Sequence, residues 1–287
     1  MSDFQDQLRT FSTAIEHELE SRAIAFPTVL ELSLRIRTVA NDPDSSVGQI
    51  AELIRIEPVV SARVIQMANS VVFNPGGNRV SGVPAAIARI GLSNVRTIAV
   101  VVAMGQLAEE RRSQAMRERA RVVWQHAVDT GAWAYAFASQ RRRDLADGAL
   151  LAGLLTQIGP LYLVARVVGY PAVAADPGGF AEIAEFWSAE VTHSILEKLE
   201  LPAEIVEAVD AAAWEPDASA WPPASLADGV ALARLLAQPE IAFDARDRAT
   251  RSARLDRLRA RAASPTLDEL LATVAPRRDE ILAVLRP

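Results

Sequence analysis

Few groups in this chain could carry chemistry. It has three histidines, His17, His126 and His193, and no cysteine. Thiolate metal sites and disulfides are therefore excluded, and a histidine-rich metal site cannot be assembled. His126 and His193 with Asp228 would make at most a weak facial triad for a divalent ion. Neither histidine is accompanied by a nucleophile elbow or similar signature, so a Ser-His-Asp device has no support. The apolar run "GALLAGLLTQIG" ends in two uncharged polar residues, Thr156 and Gln157. A hydroxyl and an amide are poor ligands for divalent ions.

The other concentration of chemistry is arginine. Between Asp244 and Arg261 seven arginines face three aspartates. Arg248, Arg251, Arg254, Arg257 and Arg261 recur every three or four residues, which aligns them along one side of a helix. Such a stripe is either a solvated face with internal ion pairs or a docking strip for an acidic protein, a nucleotide or nucleic acid. No aromatic residue interleaves with it, so base stacking has little support. A net charge of −6 also weighs against nucleic acid as the partner.

The elements that must position these groups are helices. Phe4, Leu8, Phe11, Ile15 and Leu19 step at helical intervals, as do Val29, Leu32, Ile36 and Val39, and no strand alternation stands out. "NDPDSS" separates the second helix from a third near Ser46, Pro58 opens a fourth, and Ser81 and Ser93 read as N-caps of the next two. A long helix is expected over 113–139, another from Asp144 through Gly159, and others around 180–199, 202–213 and 222–237. The loop "FNPGGNRVSG" lacks the preceding strand and the Lys-Ser/Thr of a phosphate loop and reads as a connector. With 287 residues, 50% of them hydrophobic, the chain is an all-α globular protein. Its N-terminus lacks a signal pattern, and the apolar stretch "TIAVVVAM" is too short to span a bilayer, so a cytoplasmic location without membrane contact is expected.

Composition divides the chain into an N-terminal helix over 1–25, short helices over 26–112, longer ones over 113–237 and an Arg-rich helical extension over 238–287. The extension should end in short amphipathic helices broken by Pro276, which pack back onto the body.

Several ordered words add a family resemblance: Pro27, Glu57-Pro58, Ala68-Asn69-Ser70, Ala86-Ile87 with Ile90-Gly91, then Trp124 and His126, "AGLLTQIGPLYL", His193, Leu201-Pro202 and Asp228. Over residues 26–237 the chain resembles the HDOD domain, an output domain of bacterial signalling proteins related to the HD phosphohydrolases. The resemblance implies an HDOD-type multi-helical fold, with an N-terminal helical subdomain followed by a degenerate HD-like one. In the catalytic relatives a His-Asp pair stands where Thr156 and Gln157 stand here. His126 matches the first ligand of that pattern, His193 a later one and Asp228 the last. Paired histidines expected after "IVEAV" are replaced by "DAAAW", residues 210–214.

What the resemblance implies is a non-catalytic, cofactor-free signalling module that acts through protein–protein interaction. Its vestigial pocket of His126, Thr156, Gln157, His193 and Asp228 would be a place for a small ligand. A degenerate phosphohydrolase using His126, His193 and Asp228, and a nucleic-acid regulator working through the Arg-rich tail, are the alternatives. Each residue also has a plainer role: His126 near the core, His193 partly exposed, Asp228 as a helix cap, and Asn69 and Ser70 bonded to the backbone of the following loop.

Overall fold

The computed structural model describes residues 2–22, 24, 47–109, 114–199, 201–212, 221–238 and 245–285, and all its regular elements are helical. The helix expected over Val29–Val39, together with Pro27 and the last two residues of "DAAAW", lies outside the described residues.

Helix α1 (Ser2–Glu20) buries Phe11 and Ile15 completely. Phe11 meets the edge of Tyr170 at 5.0 Å, the Gln7 side-chain oxygen accepts from the Ala172 amide at 2.8 Å, and Glu18 accepts the Tyr162 hydroxyl and pairs with Arg166. The N-terminal helix is thus a brace on the second half of the molecule. In the first half, α2 (Val47–Arg55) leads into α3 (Pro58–Ala68), where Pro58 occupies a first-turn position that has no intrahelical acceptor to lose. The Asn69 amide then donates to the Val80 carbonyl at 2.7 Å and accepts its N–H at 2.8 Å. That pair closes the connector loop, which gives Asn69 the structural role its position suggested.

Helix α4 (Val83–Glu109) is broken at Gly91, whose φ of 78° suits glycine and strains other residues. The two helices expected after Ser81 and Ser93 are the two arms of this element.

The centre is α5 (Gln114–Arg141), which touches α4, α6 (Ala146–Leu155), α7 (Ile158–Arg166) and two later helices. The single helix expected from Asp144 to Gly159 is in fact two. Pro160 lacks the N–H that a continuous helix would bond to the Thr156 carbonyl, so the chain breaks at Thr156–Gln157 and restarts. Then come α8 (Pro171–Ala175), α9 (Pro177–Lys198), α10 (Ala203–Ala211) and α11 (Leu226–Leu236). The extension forms α12 (Ala245–Arg261) and α13 (Leu267–Leu285). Pro276 sits inside α13 without ending it, contrary to the sequence expectation. Leu270 and Val274 before the proline and Ile281 after it are all buried, so tertiary packing outweighs the lost hydrogen bond.

One apolar cluster runs from Phe11 to Leu285, so the segments read from composition share a core. Two helical stretches, Val83–Gln106 and Arg143–Gly169, are long and apolar enough to cross a membrane, which the short stretch "TIAVVVAM" did not indicate. Most of each is buried within the fold.

Candidate functional site

Helices α5 and α6 approach through two glycines. A Cβ on Gly153 would stand 2.7 Å from the Cα of Gly131, a distance real side chains do not tolerate, so only glycine permits this crossing. The pair runs antiparallel: Gly131 faces Leu150 and Leu154, while Ala134, Phe137 and Ala138 share a cavity with Ala149. The C-terminal end of α6 therefore lies toward the His126 end of α5. His126, Thr156 and Gln157 are all buried there, at 5%, 6% and 2% exposure.

Thr156 and Gln157 carry no charge. The Thr156 hydroxyl donates to the Gly153 carbonyl at 2.8 Å, which serves the end of α6, and Gln157 stands at the N-cap position of α7 without a side-chain capping bond. His126 is engaged within the fold, and its own carbonyl accepts from the Thr130 hydroxyl at 2.8 Å.

The structure does not bring the other two predicted pocket residues to this place. A Cβ on Gly159 would fall 2.3 Å from the Thr192 hydroxyl, so α7 presses directly on the Thr192 face of α9. His193, one residue on, points away and is half-exposed. Its Nδ1 lies 3.1 Å from Asp210 of α10, and its Nε2 lies 3.8 Å from Glu197. Asp228 is the third residue of α11 and forms a capping box, accepting from the Ser225 hydroxyl at 2.7 Å and the Ser225 amide at 3.0 Å. The first turn of α11 lies beside Ala134–Arg141, at the far end of α5 from His126. At 1.5 Å per residue, the eleven positions from His126 to Phe137 span about 16 Å. The pocket of five is corrected to a buried group of three, with His193 and Asp228 elsewhere.

A divalent ion does not fit this set. The residues at the pair position carry no carboxylate or imidazole, and among the described residues no group of three His, Asp or Glu side chains could hold a metal.

Sequence reasoning passed over Asp129, one turn after His126. It is 1% exposed, pairs with Arg278 of α13, whose Nε donates at 2.8 Å, and accepts from the Gln238 amide at 2.6 Å. Arg278 also lies over the Trp133 ring at 5.1 Å, and Arg277 over Tyr135 at 5.6 Å. The one signal available was an acid inside the apolar stretch "HAVDTGAWAYAFA". Another carboxyl, Asp147 at the start of α6, is held above the usual carboxylate range by burial, against the opposing hydrogen bond from Asn94.

The arginine stripe divides. Arg251 turns inward, its Nε donating to the Leu235 carbonyl at 2.7 Å and its Nη2 to the Ala237 carbonyl at 2.8 Å, so it caps α11 and is not available for docking. The Arg248 side chain lies outside the described residues. Arg254 is half-buried, and Arg257 and Arg261 are exposed.

The sequence profile of the HDOD domain matches residues 26–214, a span that ends before α11 and Asp228. No curated protein sequence matches the chain. Among solved structures, a proposed metal-dependent phosphohydrolase from Shewanella amazonensis SB2B aligns over 100% of both chains, with a TM-score of 0.74 and 24% identity. An HDOD domain protein of unknown function from Geobacter sulfurreducens has a TM-score of 0.58 at 17% identity, covering 98% of this chain and 96% of its own. A proposed signal transduction protein from Marinobacter aquaeolei VT8 has a TM-score of 0.52 at 20% identity, covering 99% of this chain and 65% of its own. At these identities the likeness is one of fold.

Proposed function

Since the chain belongs to the HDOD domain family, an HD-like helical module linked to signalling, we propose that it acts in the cytoplasm as a metal-free module whose output is contact with a protein partner. The observation that carries this reading is the α6–α7 junction. Where phosphoester hydrolysis through a metal needs anionic or imidazole ligands, Thr156 donates its hydroxyl to its own helix and Gln157 offers only an uncharged amide at the start of the next. The scaffold around the junction is nonetheless closely built, with glycine-only crossings at Gly131–Gly153 and Gly159–Thr192. A fold kept this tight around neutral groups supports a role for its surfaces over a role in turnover.

The test is metal content of the purified protein together with turnover of cyclic dinucleotides and generic phosphoesters. Neither stoichiometric metal nor turnover is expected. Tightly bound iron, manganese or zinc, with turnover abolished by His126→Ala, overturns the reading. Thr156→His with Gln157→Asp should also stay inactive, because His193 faces outward and Asp228 caps a distant helix. Affinity capture from the native cell then identifies the partner, and recovery of no specific protein counts against the interaction role.

A further inference from the structure

A cavity of about 350 Å³, counting the open space at its mouth, lies between the C-terminal end of α5, the start of α6 and the first turns of α11. It is at the opposite end of α5 from His126, and the proposed interaction role does not depend on it. Its inner wall is apolar, built from Phe137 and Leu226 with three small residues, Ala134, Ala138 and Ala149. Gly229 of α11 completes that wall.

Gly131 and Gly153 lack side chains because the facing helix leaves no room for one. Gly229 is different: it is buried, yet a Cβ placed on it would meet nothing within 4 Å. Glycine inside a helix is less favourable than alanine, and an unfilled apolar cavity forfeits the contacts a side chain would make. Both losses fall at one place, and a single methyl group would reduce both, so packing does not account for the open space.

The mouth of the cavity is cationic. Arg141 and Arg142 line it, and both are exposed. Arg142 is answered by Asp144, with Nη2 and Oδ2 2.9 Å apart, while the carboxylate of Asp228 is taken up by its capping box. Arg141 donates to the Pro222 carbonyl at a long 3.4 Å, and among the described residues no carboxylate pairs with it. An uncompensated guanidinium therefore stands at the rim of an apolar hole.

We propose that this cavity binds a short aliphatic monocarboxylate, its chain against Phe137, Leu226 and Gly229 and its carboxylate on Arg141. A guanidinium fork takes a carboxylate through two parallel hydrogen bonds, which fixes the head group at the mouth. The volume is at the lower end of the range for ligand cavities, about 300–1,000 Å³, and suits a chain of a few carbons.

Titration of the full chain with hexanoate at constant ionic strength, followed through the NMR shifts of the Ala138 and Gly229 amides, tests this. Saturable shifts are expected, with affinity about fourfold higher for each methylene added between butanoate and hexanoate. Arg141→Gln should weaken hexanoate by about fivefold, the upper end for an exposed ion pair, and leave hexan-1-ol unaffected. Gly229→Val fills the cavity and should abolish the shifts. Gly229→Ala guards against a variant that fails to fold, since it should melt above the parent and still bind hexanoate less tightly. Absence of saturable shifts in the parent, hexylammonium bound as tightly as hexanoate, or hexanoate affinity unchanged in Gly229→Ala overturns the proposal. A Gly229→Ala protein that melts below the parent shows that packing requires the glycine, and it overturns the site as well.

Discussion

His126 and Asp129 stand one turn apart on α5, and the molecule treats them in opposite ways. Toward His126 the junction of α6 and α7 offers a hydroxyl and an amide, two buried groups without charge. At Asp129 a carboxylate is kept at 1% exposure, with a guanidinium delivered from α13 and a backbone N–H from the end of α11. The buried charge of Asp129 persists because distant parts of the chain supply its counterparts. The helix that carries His126 also anchors the C-terminal extension, through Asp129 and Arg278.

The contrast is most easily broken at its charged end. Asp129→Ala leaves Arg278 without its carboxylate and the Gln238 amide without its acceptor. Removing one partner of such a pair should cost about 3–5 kcal/mol in urea denaturation. Combining it with Arg278→Ala should cost less than the two single losses added together, because the second change removes a charge already stranded. A single-variant loss below about 1 kcal/mol would mean that the pair is solvated and that the contrast with the neutral region is empty.

The neutral region makes its contribution through packing. Leu155 is fully buried at the end of α6, and Leu155→Ala should cost about 2–5 kcal/mol. A melting curve that overlays the parent's would place the side chain outside the core.

Asp147 supplies a smaller, pH-dependent effect between these extremes, being a half-buried carboxyl with no ion pair among the described residues. Its folded-state pKa is raised by burial, so the folded protein holds this proton more tightly than the unfolded chain does. Its stabilising contribution is therefore complete below the unfolded pKa and is lost as pH rises through the raised folded pKa. Asp147→Asn should be the more stable protein near neutrality, and the advantage should shrink as the medium is acidified through the carboxylate range. An advantage that stays constant from neutral to acid pH would show that the group titrates normally.

Much of this was legible in the sequence, and the misses have physical causes. Helical periodicity located α3, α5, α9 and α10 closely, because an apolar stripe at a spacing of three and four is a local property. The neutrality of Thr156 and Gln157 could be read from residue type alone. The break between them could not be read from apolar pattern, which continues across it, and required weighing Pro160 four residues ahead. Pro276 misled in the other direction, since propensity cannot see that both arms of α13 pack on the body. Family order placed His193 and Asp228 in the pocket, whereas side-chain direction, set by the Gly159–Thr192 contact and by the Ser225 cap, took them out. The Asp129–Arg278 pair joins residues 149 positions apart, and no periodicity links them.

The smallest effect is the sharpest probe of the neutral region. Thr156→Val replaces a hydroxyl by a methyl of nearly the same shape, removing only the 2.8 Å bond to the Gly153 carbonyl. If that hydroxyl serves the end of α6 and nothing else, the loss should stay within the net worth of one hydrogen bond, about 0.5–1.5 kcal/mol by urea denaturation. It should also be well below the loss from Leu155→Ala in the adjacent position. A hydroxyl that belonged to a functional polar network with His126 and Gln157 would behave differently, because its removal would leave other buried donors or acceptors unsatisfied and cost several times more. A loss equal to or greater than that of Leu155→Ala would therefore show that the region is a connected polar site, and the contrast with Asp129 would have to be redrawn as one between two working networks.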